Sequence, residues 1–184
     1  MRLAGAVLTG GRSSRMGRTK ALLAVDGVPM ARRVADALGA VGCAPVVLAG
    51  GDPEELGPLG LRVVPDVPPG GHGPLAGVRA VLDDLVVVAD AVVVAPCDVP
   101  GLGAAVLEPL IAAFGRSRPD VAVARTTRLE PGVAVWSTAC RDDVARALAG
   151  GVRAVHRVLD DLRTIEVPVP GPLVNVNAPG DLPG

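Results

Sequence analysis

This sequence has few aromatic side chains and almost no net charge. It contains no tyrosine, one phenylalanine and one tryptophan, which argues against a nucleic-acid surface built on stacked aromatic rings. The formal net charge is −1, so no overall field would attract DNA, RNA or an anionic membrane. We therefore expect neither nucleic acid nor membrane as a partner, and any site for an anion must be local.

Long apolar runs and a cysteine framework are also absent. The longest apolar run, residues 85–96, is interrupted by Asp90 and is too short to span a bilayer. The chain passes from one arginine straight into a strand-like segment, which is not the layout of a signal peptide. Three cysteines, odd in number and far apart, indicate buried thiols in a reducing compartment rather than disulfides or a metal site. These absences predict a cytoplasmic protein.

The order of apolar segments predicts the fold class. Short β-branched runs alternate with amphipathic stretches rich in alanine and leucine, which is typical of an α/β fold with three α/β/α layers, Rossmann-like, around a mainly parallel sheet. We interpret residues 1–184 as a single domain. Strands are predicted at 3–8, 46–49, 61–64, 91–95, 121–125, 132–136 and 164–167, helices at 29–41, 51–56, 75–82, 103–114, 138–148 and 152–159, and a turn or short helix at 177–182.

Residues 8–20, LTGGRSSRMGRTK, combine glycines with basic side chains directly after the first predicted strand. Lys20 is the only lysine in a chain whose other long cationic side chains are all arginine, which indicates a position that needs a compact ammonium. Glycine allows backbone N–H groups to approach an anion, and Arg15 and Lys20 can add charge-assisted contacts. The loop fits neither the Walker A pattern nor G-x-G-x-x-G. The residues themselves therefore predict a loop that binds a polyphosphate.

The same loop resembles the signature of the molybdenum cofactor nucleotidyltransferases, which is roughly L-x-G-G-x-S-x-R-M-G-x-D-K. The resemblance implies a fold of the nucleoside-diphospho-sugar transferase type and a triphosphate held in this loop. Thr19 departs from the pattern, because it stands where the family usually has an acid. By resemblance, Arg15 and Lys20 are catalytic, and the nucleotide is bound by Leu8, Thr9, Gly10, Gly11 and Lys20.

Asp98 follows a buried predicted strand in the segment VVVAPCDVP. A carboxylate at the carboxyl end of a central strand can bind a hard cation such as Mg²⁺, or it can cap the helix that follows Pro100. The segment resembles the family motif P-C-D-x-P, whose aspartate is the Mg²⁺ ligand. The resemblance thus implies Mg²⁺ as cofactor, with Asp98 as metal ligand, nucleotide contact and catalytic residue.

Two further strand ends resemble the nucleotide site of the family. Asp66 ends the third predicted strand ahead of GPLAG, and in the family the aspartate before this motif contacts the nucleotide. The alternative interpretation of Asp66 is a polar residue of a turn. After the second strand the family commonly has an asparagine that contacts the nucleotide. Here that position is Ala49 or Gly50, so no polar side chain can make the contact. Only a backbone group can replace it, and we assign this role to Gly50.

The segment NVNAPGDL, residues 175–182, resembles the family ending N-V-N-T-P-E-D-L. This resemblance implies that Asn175 and Asn177 bind the second substrate or lie in the outer shell of the metal. An Asn-Ala-Pro turn would account for the same residues, and both interpretations stay open.

Together, the resemblances imply a Mg²⁺-dependent guanylyltransferase. It would transfer GMP from GTP to the terminal phosphate of molybdopterin, releasing pyrophosphate and forming molybdopterin guanine dinucleotide, with molybdoenzymes or other cofactor-assembly proteins as further partners. Gly10 in L-x-G-G favours guanine, because the related cytidylyltransferases tend toward L-A-A-G. Two alternatives are a nucleotidyltransferase that uses CTP or a sugar-phosphate acceptor, and a nucleotide-binding adaptor without catalysis.

Overall fold

A seven-stranded sheet forms the centre of the structure, a computed structural model that describes residues 1–10, 19–66 and 73–176. A separate antiparallel hairpin joins two strands of two residues each, β2 and β3. The strands are β1 (Leu3–Leu8), β2 (Ala24–Val25), β3 (Val28–Pro29), β4 (Val46–Ala49), β5 (Val63–Val64), β6 (Ala91–Pro96), β7 (Val121–Arg125), β8 (Leu129–Ser137) and β9 (Thr164–Pro168).

The sheet has the order β5-β4-β1-β6-β8-β7-β9. Only β8 runs against the other six strands of this sheet. From β1 the chain moves outward to β4 and β5 and then returns to β6 on the other side of β1. This reversal is a topological switch point, so the carboxyl ends of β1 and β6 form a crevice where ligands bind in folds of this kind.

Helices cover both faces of the sheet. One core cluster contains Val34 and Leu107 from two of the helices on one face, and a second cluster contains Leu82, Val144 and Val158 on the other. The structure therefore has three layers. The helices are α1 (Met30–Ala40), α2 (Pro53–Leu56), α3 (Pro74–Leu85), α4 (Ala104–Ser117), α5 (Arg141–Ala149) and α6 (Val155–Leu159), with 3₁₀ turns at Lys20–Leu22, Gly57–Leu59 and Thr138–Cys140.

The strand β6 shows why the sheet lies at the centre. Val93 packs in one core cluster, whereas Val92 and Val94 pack in the other, because successive side chains of a strand point to opposite faces. A strand buried on both faces needs a continuous apolar run instead of an alternating one. The run Ala91–Pro96 satisfies that requirement and carries the chain directly to Asp98.

The predicted fold class is confirmed, with differences in individual elements. The third predicted strand shrinks to Val63–Val64, and the predicted strand at 132–136 begins earlier, at Leu129, and runs antiparallel. The hairpin of β2 and β3 is an addition, since strands of two residues are too short for a periodic pattern. The turn or helix predicted at 177–182 lies outside the described residues. No helix in the described part of the chain has the length and apolar character needed to cross a membrane.

Asp120 joins the start of β7 to the start of β9. Its carboxylate accepts hydrogen bonds from the backbone N–H of Arg163 at 3.0 Å and from its Nε and Nη2 at 3.1 and 2.7 Å. The Arg163 side-chain hydrogen bonds hold the pKa of Asp120 below its ordinary value. The charged form of Asp120 therefore stabilises this end of the sheet.

We expect the Asp120→Asn variant to lose stability at neutral pH and to differ less from the wild type in acid. Because the pKa of Asp120 is lower in the folded chain, its contribution is complete above the ordinary aspartate pKa of about 3.9. That contribution falls as the pH drops through the lowered folded pKa. Urea unfolding at pH 7 and pH 3 measures the difference. An equal gap between the two proteins at both pH values would contradict the expectation, and Asp142→Asn on the exposed start of α5 is the control.

Candidate functional site

Four neighbouring parallel strands end at one edge of the sheet, and most of the candidate residues lie there. β1, β4, β5 and β6 are adjacent and point the same way. Their carboxyl ends lead to Gly10, Gly50, Asp66 and Asp98 respectively. The structure thus brings these candidates to one crevice. Three other candidates, Gly11, Arg15 and Asn177, lie outside the described residues.

The pairing of β1 with β6 sets the crevice between Gly10 and Asp98. Leu8 stands opposite Pro96, and the backbone N–H of Cys97 donates to the Leu8 carbonyl at 3.1 Å. The Leu8 side chain is buried and packs toward Gly77 of α3. A contact of Leu8 with a nucleotide would therefore have to use its backbone.

Thr9 ties the end of β1 to the end of β4. Its buried hydroxyl lies 2.6 Å from the Gly50 carbonyl and 3.1 Å from the Ala49 carbonyl, so it can donate to either. The backbone N–H groups of Thr9 and Gly10 also approach the Ala49 carbonyl, at 2.9 and 3.3 Å. The Thr9 side chain therefore points into the protein and orders the two strand ends.

Asp66 lies against three glycines. A Cβ atom on Gly50 would stand 2.8 Å from Asp66 Oδ1, and Cβ atoms on Gly10 and Gly77 would each stand 3.5 Å from one of its carboxylate oxygens. Gly50 also has φ +78°, a conformation that favours glycine. The Asp66 carboxylate thus fills the space that a side chain at position 50 would need. Gly77 was not among the predicted site residues, although its place in GPLAG marks it as a site of close approach.

Asp98 is half-buried, and one of its carboxylate oxygens stands out among the described polar atoms. Its Oδ1 atom is buried and has no hydrogen-bond partner among the described residues. Burial raises the pKa of Asp98, and the positive charge of Lys20 opposes this increase. The alternative interpretation as a helix cap is wrong: α4 begins at Ala104, and its N-cap residue is Gly103.

The Asp98 carboxylate fits a hard cation shared with a phosphorylated ligand. Mg²⁺ is commonly held by one or two carboxylates together with phosphate oxygens and water. Within the described ranges, no group of three or more His, Cys, Asp or Glu side chains could hold a metal ion unaided. A buried carboxylate oxygen without a hydrogen-bond partner among these residues is the metal ligand that such a cation requires from the protein.

Lys20 reaches the same crevice from the loop after β1. It opens the 3₁₀ turn Lys20–Leu22, in which Ala21 is fully buried. Burial raises the pKa values of Cys97 and Asp98, and the Lys20 ammonium is close enough to oppose both increases. The only lysine of the chain therefore lies near the candidate metal ligand.

Asn175 lies beside the end of β6. The backbone N–H of the next residue, Val176, donates to the Asp98 carbonyl at 2.8 Å, and Val176 is buried. Asn175 itself is exposed. This position is compatible with contact to a second substrate near Asp98.

The three cysteines are buried, as predicted. Burial raises the pKa of Cys97, next to Asp98, to about 12, and burial raises the pKa values of Cys43 and Cys140 to about 12 as well. A thiol with such a pKa stays protonated near pH 7 and is a poor nucleophile. The cysteines of this chain therefore do not supply a covalent catalyst.

Comparison with known proteins agrees with this arrangement. The sequence model of the MobA-like NTP transferase domain matches residues 5–165. The molybdenum cofactor guanylyltransferase of Rhodobacter capsulatus is 39% identical over 191 aligned positions, covering 99% of this chain and 94% of that protein. The enzyme of the same name from Burkholderia vietnamiensis is 38% identical, covering 90% and 85%.

Solved structures share the fold at lower identity. The molybdopterin-guanine dinucleotide biosynthesis protein A of Archaeoglobus fulgidus aligns with a TM-score of 0.77 at 23% identity, covering 98% of this chain and 94% of that one. A 2-C-methyl-D-erythritol 4-phosphate cytidylyltransferase from Thermus thermophilus aligns with a TM-score of 0.70 at 20% identity, covering 98% and 95%. With a domain match over most of its length and relatives of this identity over nearly all of it, the chain belongs to the MobA-like NTP transferases, in the molybdenum cofactor guanylyltransferase family.

Proposed function

We propose that this protein transfers GMP from GTP to the terminal phosphate of molybdopterin. The products are pyrophosphate and molybdopterin guanine dinucleotide. The observation that carries this proposal is the buried Asp98 Oδ1 at the switch point of the sheet, which has no hydrogen-bond partner among the described residues, together with Lys20, whose charge acts on the same carboxylate. An ammonium near a cation-binding carboxylate can form a site for a nucleoside triphosphate with its metal.

The chemistry depends on positioning and on charge neutralisation. A phosphate oxygen of the acceptor attacks the α-phosphorus of GTP, and the bond from that phosphorus to the β-phosphate bridging oxygen breaks. The electron pair leaves with pyrophosphate. Because the acceptor phosphate is already ionised, no side chain has to remove a proton. Lys20 stabilises the negative charge that develops on the triphosphate, together with the backbone of the glycine loop and, by resemblance, Arg15.

Asp98 would hold Mg²⁺ through Oδ1, which has no hydrogen-bond partner in the described part of the chain. When bound there, the ion would neutralise charge on the phosphate oxygens and hold the triphosphate in place. Burial disfavours the charged form of Asp98 without a cation, so the carboxylate and the ion stabilise each other.

Selection of guanine rests on the glycines around Asp66. Gly10 leaves room for a purine and presents backbone groups toward its edge, and the Asp66 carboxylate accepts hydrogen bonds from the nucleotide. Gly50 contributes backbone only, since Asp66 occupies the volume beside its Cα atom. Asn175 would contact the acceptor.

We place the reaction in the cytoplasm, within a single domain. The product would pass from this enzyme to molybdoenzymes or to other proteins of cofactor assembly. The acceptor carries a phosphate and the donor is a free nucleotide, so neither a nucleic acid nor a membrane takes part.

The variants Lys20→Ala and Asp98→Asn should each abolish turnover while the fold stays intact, because each removes a charge that acts on the triphosphate. The measurement is pyrophosphate release from GTP in the presence of Mg²⁺ and molybdopterin, with circular dichroism to verify folding. Asp90→Asn, at the opposite end of β6, is the matched control and should keep the wild-type rate.

Wild-type rates in either Lys20→Ala or Asp98→Asn would refute the assignment of these roles. Binding of GTP by the wild-type protein without metal-dependent turnover would instead favour a nucleotide-binding adaptor. Release of pyrophosphate with a sugar phosphate, but not with molybdopterin, would point to another acceptor.

Metal binding gives an independent test of Asp98. We expect Mn²⁺, used as a paramagnetic substitute for Mg²⁺, to bind the complex of wild-type protein and GTP roughly tenfold or more tightly than the Asp98→Asn complex, since a carboxylate ligand is lost. Electron paramagnetic resonance of free Mn²⁺ measures both affinities. Equal affinities would exclude Asp98 as a ligand, and a chelator should stop turnover by the wild type.

The Gly10→Ala variant should lose preference for GTP. The added methyl group would stand 3.5 Å from Asp66 Oδ2, an ordinary contact that the fold tolerates, but it would narrow the space for the purine. We expect kcat/KM for GTP to fall roughly tenfold or more, and to fall less for CTP. Gly39→Ala, in an open position near the end of α1, is the control. An unchanged ratio of the two nucleotides would contradict the role of Gly10.

A further inference from the structure

The backbone around Lys20 is held at two points. On one side, the backbone N–H of Thr19 donates to Glu55 Oε1 at 3.1 Å. On the other side, Ala21 is fully buried in the core. Thr19 itself has an extended conformation, with φ −67° and ψ 137°, immediately before the turn that Lys20 opens. The hydrogen bond from Thr19 to Glu55 therefore helps to fix the position of the Lys20 backbone.

The segment that follows β4 fixes the position of Glu55. It lies on α2, whose first turn is capped by Asp52: Oδ1 of Asp52 accepts from the backbone N–H of Glu54 at 2.9 Å. Leu56, the next residue, is fully buried. Gly51 makes this close packing possible, because it has φ +88° and a Cβ atom there would stand 2.7 Å from Leu56 Cδ1.

These contacts form a connected path from the β4 end of the crevice to Lys20. Gly51 allows Leu56 to pack, Leu56 fixes α2, and α2 presents Glu55 to the backbone of Thr19. A carboxylate close to a loop that binds a triphosphate repels that ligand. The repulsion caused by the Glu55 carboxylate must therefore be offset by a favourable interaction, and the hydrogen bond with Thr19 is such an interaction.

We propose that Glu55 is a positioning residue of the nucleotidyl transfer site. Its carboxylate holds the backbone N–H of Thr19 and so directs Lys20 toward Asp98 and the triphosphate. In this chain the loop has threonine where its family usually has an acid, and the acid that meets this residue comes from α2 instead. The assignment rests on the proposed function, because Lys20 acts on the triphosphate there.

Four variants test the Glu55 assignment. Glu55→Ala removes the acceptor, whereas Glu55→Gln keeps an oxygen at the same place. Thr19→Pro removes the donor N–H at a φ that proline adopts without strain. Glu54→Ala alters the neighbouring exposed glutamate of the same turn and is the matched control. Steady-state rates of pyrophosphate release, GTP affinity by calorimetry and the melting temperature are measured for each.

We expect Glu55→Ala and Thr19→Pro each to raise KM and Kd for GTP roughly three- to tenfold, as for the loss of one charge-assisted hydrogen bond. KM for molybdopterin and the melting temperature should not change, since Glu55 is exposed. Glu55→Gln should keep most of the wild-type affinity, because its amide oxygen still accepts from Thr19 while the charge that strengthens this hydrogen bond and repels the triphosphate is gone. Glu54→Ala should behave as the wild type. The Glu55→Ala/Thr19→Pro double variant should bind GTP no more weakly than either single variant, because both remove the same hydrogen bond.

The assignment fails if Glu55→Ala matches Glu54→Ala, if Glu55→Gln loses as much affinity as Glu55→Ala, or if the two single effects add. If Thr19→Pro fails to fold, the comparison of the Glu55 and Glu54 variants still tests whether Glu55 positions the loop. Absence of pyrophosphate release by the wild-type protein would overturn the proposed function instead. The GTP affinities of the variants would then still decide whether Glu55 positions the loop.

Discussion

The parallel pairing of β1 with β6 is the constraint on which the site depends. It sets Leu8 opposite Pro96, and the hydrogen bond from Cys97 to Leu8 continues the pairing beyond the strands. Gly10 and Asp98 therefore follow neighbouring strand ends, although they are far apart in sequence. Both strands are buried between two layers of helices, so the core of the protein, rather than contacts on its surface, holds these two strand ends together.

The site contains a carboxylate whose burial is not fully compensated, and a bound ligand would compensate it. Asp98 is partly desolvated, and its Oδ1 has no hydrogen-bond partner within the residues that the structure describes. Buried polar atoms in folded proteins are nearly always paired, and departures from that rule concentrate at functional sites. The ammonium of Lys20 offsets part of the cost, as its effect on the pKa of Asp98 shows. A cation together with a triphosphate would complete the balance of charge.

The departures from the family pattern have local structural explanations. Gly50 has no side chain, and the Asp66 carboxylate occupies the space beside its Cα atom. Thr19 provides a backbone donor in place of an acid, and Glu55 of α2 accepts from it.

The sequence by itself determined the fold class, and it predicted the loop after β1, Lys20 and Asp98 as parts of the site. These conclusions rest on patterns within short segments, such as the apolar run Ala91–Pro96 and the glycines beside one lysine. Only the tertiary structure decided that Asp98 does not cap α4, that Leu8 and Thr9 turn inward, that β8 is antiparallel, and that Asp66 and Glu55 meet their partners. The physical reason is that these contacts join residues distant in the chain. Their geometry follows from how strands and helices pack, which no local pattern of residues specifies.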